Sequence, residues 1–162
     1  MADWKSFWDK YKTIILQVVL ALLAGGLASL LGGDTASLYQ RLTPPPWAPP
    51  GWVFPVVWTI LYALMGISAY LIHIEPKETE GRRTALTTYW VQLMINFSWS
   101  IVFFRFELLW GSVAVILALL VAVIVMVVRF RRISAAAAYI NIPYILWLLL
   151  ATYLNIATAV IN

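Results

Sequence analysis

Long apolar runs separated by short polar segments make up most of the chain. Each run has about the 20 residues that a helix needs to cross the hydrocarbon core of a bilayer. The runs do not alternate between apolar and polar positions, as the strands of a membrane barrel would. The pattern therefore predicts an all-α integral membrane bundle that forms one domain over residues 1–162, with five transmembrane helices at about 13–31, 53–73, 85–104, 109–128 and 134–160.

The first apolar run follows Lys5, Lys10 and Lys12, as the apolar region of a signal peptide would. That region is usually about 7 to 15 residues long, whereas this run extends from Thr13 to Leu31. The length favours a retained membrane span.

Composition agrees with a membrane protein. Hydrophobic residues make up 63% of the chain and charged residues 11%, against about 45–50% and about 25% in soluble domains. The mean hydropathy is +0.87. Because the sequence contains no cysteine, disulfides, thiolate metal ligands and a cysteine nucleophile are excluded.

The basic residues cluster at the ends of the predicted spans. Two of them, Arg41 and Arg105, fall on one side of the membrane, and the other nine fall on the opposite side: Lys5, Lys10, Lys12, Lys77, Arg82, Arg83, Arg129, Arg131 and Arg132. The positive-inside rule then predicts a cytoplasmic N-terminus, with the first loop and the C-terminus outside. The pI of about 9.5 thus reflects membrane topology, and no nucleic-acid partner is expected.

A short turn joins the third and fourth spans as an antiparallel hairpin. It carries Arg105 and Glu107, which are close enough in sequence to form an ion pair. Such a pair at an exposed interface stabilises by about 1 kcal/mol or less. We interpret both residues as markers of the span boundary.

A proline-rich outer loop at 32–52 precedes the second span. Six of the eight prolines and three of the nine tryptophans lie in the stretch 42–58. Proline fixes φ and removes a backbone donor, so this stretch is predicted to be stiff and non-helical until about Trp52. Two interpretations are open, namely a membrane-interface tryptophan with a spacer, and a lid over the outer mouth of the bundle.

Polar and aromatic residues share helix faces in three spans. On the third, Gln92, Asn96 and Trp99 follow at i, i+4 and i+7 with Ser100 beside them. Amides in hydrocarbon need partners, so this face is predicted to point inward, either for interhelical hydrogen bonds or for ligand contact. The second and fifth spans repeat the pattern with Trp58, Tyr62 and Met65, and with Pro143, Trp147, Ala151 and Asn155.

These three faces predict a pocket between the second, third and fifth spans. Trp58, Trp99 and Trp147 would form its walls, and Asn96 and Asn155 its polar handles. Such a site suits a flat, largely apolar ligand, because aromatic walls offer stacking. The fourth span has no polar side chain from 113 to 128, so it is predicted to face lipid or to support the bundle.

Three motifs resemble a known family. The segment 47-WAPPGWVFPVVW-58, the Gln92, Asn96 and Trp99 face, and 143-PYILWLLLATYLN-155 are together similar to the TspO/MBR family of tryptophan-rich sensory proteins and translocator proteins. The resemblance implies a five-helix membrane fold, usually a homodimer in membrane lipid. It also implies binding of porphyrins such as protoporphyrin IX and haem as ligands, with no required cofactor and no metal site. Some members bind cholesterol and isoquinoline carboxamides.

Carrying over the family's pocket positions gives a predicted set of ligand-binding residues: Tyr39, Trp47, Pro49, Gly51, Phe54, Trp58, Tyr62, Gln92, Asn96, Trp99, Ser100, Trp147, Ala151 and Asn155. Trp58 and Trp147 match the tryptophans to which the family's light-dependent porphyrin degradation has been assigned. The resemblance thus implies at most a slow photochemical activity. The residues themselves show no conventional catalytic constellation, since the predicted pocket holds no carboxylate, lysine or histidine.

Further expectations concern competing functions and contacts. A transporter of tetrapyrroles or sterols is the alternative, but there is no internal repeat, no intramembrane charge and no pair of interrupted helices in the predicted pattern. The sterol motif lacks a basic residue after Tyr153.

His73 lies about 22 Å along the helix from Trp58, too far for axial ligation of haem in the pocket. Small residues at Ala21, Gly25 and Ser29 permit close helix approach, in a dimer or within the bundle.

Overall fold

The computed structural model describes residues 4–33 and 35–162, with the side chains of 4–10, 35, 36 and 39 left aside. Within these residues the chain is helical and contains no strand. The helices are α1 (Trp4–Gly32), α2 (Thr35–Arg41), α3 (Val53–His73), α4 (Arg82–Ser100), a π-helical segment (Ile101–Arg105), α5 (Leu109–Arg131), α6 (Ala135–Tyr139) and α7 (Ile142–Ile161). The predicted all-α fold is confirmed.

Four stretches of the described chain are long and apolar enough to cross a membrane, namely Tyr11–Gly32, Val53–His73, Leu109–Arg131 and Ala135–Ile161. They agree closely with four of the five predicted spans. The remaining predicted span corresponds to α4 and the π-helical segment, and it is not among the four. Polar residues such as Gln92 and Asn96 lower the mean hydropathy of α4.

The outer loop differs from the prediction in its first part. Thr35–Arg41 forms α2, because prolines begin only at Pro44 and nothing before them prevents a helical turn. From Thr43 to Trp52 the chain is non-helical, as predicted, and α3 begins at Val53. Pro55 lies in the first turn of α3, where a backbone donor is not needed.

The last membrane stretch is interrupted, whereas the sequence predicted one continuous span. The break falls between α6 and α7 at Ile140 and Asn141, just before Pro143, whose ring disfavours helix at the preceding turn. The buried side chain of Asn141 donates to the carbonyl oxygen of Ala137 (2.8 Å) and to the hydroxyl of Ser68. These hydrogen bonds attach the break to α3, whereas Oδ1 of Asn141 is buried without a hydrogen-bond partner among the described residues.

Two glycines allow α1 and α3 to cross closely. A Cβ atom on Gly66 would lie 2.5 Å from the Cα atom of Val18, and one on Gly25 would lie 2.3 Å from the ring of Tyr62. Ala21 is fully buried in the same core. Of the two interpretations of this small-residue pattern, the structure therefore shows internal packing for Ala21 and Gly25.

Helix α5 supports the bundle. One of its faces is fully buried in the core, through Ile116, Leu119, Val123 and Met126, and packs against α4 and α7. The opposite face exposes Leu117, Val121, Ile124 and Val128. Both predicted roles of this span, support and lipid exposure, are thus assigned to different faces of one helix.

Candidate ligand cavity

A cavity of about 750 Å³ lies at the end of the bundle that carries the proline-rich loop, within the range of about 300–1,000 Å³ typical of small-molecule sites. Its walls come from α1, α3, α4 with the π-helical segment, and α7, and the proline-rich loop covers it. Nine of the sequence-predicted ligand-binding residues line it: Gly51, Phe54, Trp58, Tyr62, Asn96, Trp99, Ser100, Ala151 and Asn155.

One wall of the cavity is a continuous aromatic surface. The rings of Trp58 and Trp99 stack with centroids 6.3 Å apart and planes 30° apart, and Trp99 stacks in turn on Phe103 at 5.6 Å. Phe104 meets the edge of Trp99 at 5.9 Å. Stacked and edge-to-face pairs each add about 0.5–1.5 kcal/mol beyond the burial of area. These contacts fix the orientation of the aromatic rings that an apolar ligand would meet in the cavity.

The π-helical segment Ile101–Arg105 carries two consecutive phenylalanines, Phe103 and Phe104, and both line the cavity. Such π turns are frequent at functional sites. Sequence reasoning missed both residues, although Phe103 lies four residues after Trp99 and so continues the helix face of Gln92, Asn96 and Trp99.

The floor of the cavity is a chain of buried hydrogen bonds. The hydroxyl of Tyr62 donates to Oδ1 of Asn96 (2.7 Å), and Nδ2 of Asn96 donates to the hydroxyl of Tyr144 (2.7 Å). The Tyr144 hydroxyl then donates to Oε1 of Gln92 (3.0 Å). Both polar atoms of Asn96 thus have protein partners. Tyr144 was not predicted, since no motif distinguishes it from a packing aromatic.

Asn155 is held in the same way. Its Oδ1 accepts from the indole nitrogen of Trp99 (2.8 Å), and its Nδ2 donates to the hydroxyl of Ser112 (2.8 Å). For both asparagines the structure therefore shows interhelical hydrogen bonds. Both asparagines also line the cavity, so their role as polar contacts for a ligand stays a prediction beside these interhelical hydrogen bonds.

Four predicted residues lie outside the cavity lining. Gln92 is buried below the floor, and Trp147 packs its ring edge against Phe54 at 5.7 Å. Trp147 is therefore not a cavity wall, and its buried indole nitrogen has no hydrogen-bond partner among the described residues. Trp47 is 87% exposed and stands next to Tyr153, with ring centroids 6.2 Å apart. Pro49 does not line the cavity either.

The side chain of Tyr39, also predicted to bind ligand, lies outside the described residues.

The sequence did not predict that α1 lines the cavity. This helix contributes Leu22, Gly25, Gly26, Ala28 and Ser29 to the lining. The small residues of this helix were recognised in the sequence, but the pattern carries no information about which helix they face.

The loop over the cavity is fixed at two points. The side chain of Asn162 accepts from the backbone nitrogen of Thr43 (2.8 Å) and donates to its carbonyl oxygen (3.2 Å). The hydroxyl of Tyr153 donates to the carbonyl oxygen of Pro46 (3.1 Å). The lid interpretation of the loop fits these contacts, since they hold it against the outer end of α7.

The hairpin turn forms an ion pair, but its basic partner is not the neighbouring Arg105 that the sequence offered as a possibility. Glu107 pairs with Arg41, with Nη2 and Oε1 2.6 Å apart, rather than with Arg105. Glu107 has a φ of 52° in this turn. This exposed pair connects α2 to the outer end of α5.

Replacing Asn155 by leucine is expected to lower the free energy of unfolding by about 1–3 kcal/mol, because the buried Trp99 indole and Ser112 hydroxyl both lose their partner. The measurement is thermal unfolding in detergent, together with the near-UV circular dichroism of the tryptophans. Ser112→Ala is the control, since it removes one bond and keeps the bond to Trp99. Equal stability of the two variants would contradict this role of Asn155.

The fold and the cavity define a multi-pass helical membrane protein with an aromatic-walled internal site. The family model described as the TspO/MBR family matches residues 15–161. The chain therefore belongs to the TspO/MBR family.

Among its relatives, the tryptophan-rich protein TspO of Chlorobaculum tepidum is 32% identical, over 93% of this chain and 96% of the relative. The tryptophan-rich sensory protein of Cereibacter sphaeroides is 34% identical, over 76% of each chain. The human translocator protein is 33% identical, over 76% of this chain and 73% of the relative.

Proposed function

We propose that this protein is a membrane receptor or sensor that binds porphyrins, such as protoporphyrin IX or haem, in the cavity. The observation that carries the proposal is the stacked wall of Trp58, Trp99 and Phe103 beside a cavity of about 750 Å³. A flat macrocycle gains both apolar burial and stacking there. Family membership supports the same ligand class, and the Cereibacter sphaeroides relative is named a sensory protein.

We also propose that the protein crosses the membrane five times. The polar residues of α4 face inward, since Gln92 and Asn96 are buried, while the outer face exposes Trp90, Val91 and Met94. A helix with a buried polar face and an apolar outer face can cross lipid although its average hydropathy is low. The distribution of basic residues supports a cytoplasmic N-terminus and an outer position for the loop and the C-terminus. A homodimer in lipid is part of the proposal through family membership alone.

Titration with protoporphyrin IX in lipid nanodiscs tests the proposed binding. We expect saturable quenching of tryptophan fluorescence with one ligand per chain. Quenching that rises without saturation, as it would for a ligand dissolving in empty nanodiscs, would overturn the proposal.

Binding is expected without an axial ligand from the protein. The cavity lining contains no histidine, and His73 is exposed at the opposite end of α3. We therefore expect His73→Ala to leave the Kd for protoporphyrin IX and for haem unchanged, which parallel titrations would measure. A large loss of haem affinity in this variant would place the ligand elsewhere.

Light-dependent degradation of the bound porphyrin is a proposed minor activity. Light and dissolved oxygen would supply the oxidation, and a tryptophan in contact with the macrocycle would act as electron donor. Trp58 lines the cavity and Trp147 does not. Under illumination we expect Trp58→Phe to slow porphyrin decay about threefold or more, and Trp147→Phe to have little effect. Equal decay with the wild type and with the variant that combines Trp58→Phe and Trp147→Phe would exclude a tryptophan role.

Transport of tetrapyrroles or sterols is the second candidate. One observation favours it, since the irregular segment Ile101–Arg105 at the end of α4 lines the cavity through Phe103 and Phe104. Irregular helices line sites in several transporters. Uptake of protoporphyrin into sealed proteoliposomes separates the two functions. A receptor gives uptake no faster than in empty liposomes, whereas a transporter gives accumulation that saturates with ligand.

A further inference from the structure

The outer halves of α1 and α3 separate from each other. The two helices touch at Gly66 and Val18, and again at Gly25 and Tyr62. Beyond Gly25, α1 instead contacts α4 and the π-helical segment. The hydroxyl of Ser100 donates to the carbonyl oxygen of Ala28 (3.2 Å), and a Cβ on Gly32 would lie 3.4 Å from that of Phe104. A gap therefore widens between α1 and α3 towards the outer side.

The edges of this gap belong to the cavity and are exposed at the same time. Gly26 and Ser29 on α1, and Pro55 and Thr59 on α3, line the cavity, and all four are exposed. A Cβ on Gly26 would meet no atom within 4 Å. The cavity thus opens sideways between the two helices.

The surface around the opening is apolar. Leu23 and Leu27 flank it on α1, and Val56 and Ile60 flank it on α3, all of them exposed. Gly26 lies about 9 Å along the helix axis from Gly32, and Thr59 about 9 Å from Val53. This depth is within the outer part of the membrane-crossing stretches. Lipid chains, and not water, are the medium that such a surface contacts.

The proline-rich loop covers the cavity on the side that faces water. The loop above the cavity is fixed to Asn162 and Tyr153 by the hydrogen bonds described above. Its prolines restrict the backbone, which makes displacement of the loop costly.

We propose that the gap between α1 and α3 is a lateral portal through which the ligand enters and leaves the cavity from the outer leaflet. The ligand class is a flat apolar molecule dissolved in lipid. The identity of that ligand rests on the proposed function, whereas the opening of the gap to lipid rests on the geometry alone. Lateral entry avoids transfer of the apolar ligand through water.

Kinetics of protoporphyrin IX binding in nanodiscs test the route. Gly26→Phe and Thr59→Phe place a bulky ring at each edge of the gap. We expect both the association and the dissociation rate to fall about tenfold, because a narrowed portal raises the barrier to passage in both directions. Slower dissociation is the decisive reading, since crowding or loss of ligand contacts inside the cavity would make dissociation faster. Leu27→Phe, one residue away on the lipid-facing surface, is the matched control and should keep wild-type rates.

Two results would overturn the portal. One is unchanged rates in both edge variants. The other is faster binding when the loop is loosened by Tyr153→Phe, with no effect of the edge variants, which would place the entrance under the loop.

A second measurement needs no ligand. The chain has no cysteine, so Thr59→Cys can carry a single bimane fluorophore. We expect quenching by brominated lipids and little quenching by aqueous iodide, as for bimane at Ile60→Cys on the lipid-facing surface. Bimane at Glu80→Cys, in the exposed loop after α3, gives the opposite pattern. If Thr59→Cys behaves like Glu80→Cys, the gap faces water and the portal is wrong, even if protoporphyrin binds as proposed.

Discussion

Leucine at position 66 is expected to leave little folded protein. A Cβ atom on Gly66 would lie 2.5 Å from the Cα atom of Val18 and 2.9 Å from the carbonyl oxygen of Gln17. Both are backbone atoms of α1, so no side chain can rotate to make room. Overpacking usually costs about 1–3 kcal/mol and more when the backbone must move. We expect a loss of at least about 3 kcal/mol, measured as thermal unfolding and as the monodisperse fraction in gel filtration.

Gly26→Leu is the matched control for this prediction. It introduces the same side chain on the neighbouring helix, where a Cβ meets no atom within 4 Å. Its unfolding temperature should therefore stay close to that of the wild type. If Gly66→Leu were as stable as Gly26→Leu, the close crossing of α1 and α3 would be wrong.

Trp58→Leu is expected to produce the largest loss of ligand affinity. Trp58 contacts Trp99, Tyr62 and Tyr144 with ring centroids 5.7–6.3 Å apart, so it is the centre of the aromatic wall. Removing it takes away one stacking partner and much apolar area from the ligand, which together amount to about 2–3 kcal/mol. This corresponds to an increase of about 30- to 150-fold in the Kd for protoporphyrin IX.

The control is Trp110→Leu, which removes an exposed tryptophan at the start of α5, outside the cavity lining. It should keep the wild-type affinity within about twofold. Equal affinity of Trp58→Leu and Trp110→Leu would show that porphyrin does not stack on this wall. Thermal unfolding of both variants checks that each is folded.

Much of the fold was predictable because lipid places strict demands on length and polarity. The stretches around α3 and α5 were located almost to the residue, since a membrane span needs an uninterrupted apolar run. The break at Asn141 was not predicted. Its buried amide nitrogen donates to the carbonyl oxygen of Ala137 and to the hydroxyl of Ser68, and Ser68 is distant in sequence. The sequence shows the polar residue, but it does not show which distant residue forms the hydrogen bond that stabilises the break in the helix.

For the site as well, the sequence predicted the positions of residues better than their contacts. Trp58, Asn96, Trp99 and Asn155 were predicted from helical spacing, and the structure places all of them at the cavity. Spacing alone could not show that the asparagines bind Tyr144 and other protein groups. It also assigned Trp147 to the cavity, because residues four apart share a helix face. That face is wide enough for Trp147 to pack against Phe54 while Ala151 lines the cavity.

The central claim is that a porphyrin occupies the cavity against the tryptophan wall. Nuclear magnetic resonance of the indole N–H groups tests it most directly, since a bound macrocycle shifts nearby protons through its ring current. With protoporphyrin IX in nanodiscs, we predict large shifts of the Trp58 and Trp99 signals and unchanged signals of Trp90 and Trp110, which are exposed outside the cavity. Shifts of Trp90 or Trp110 with unmoved Trp58 and Trp99 would contradict the account.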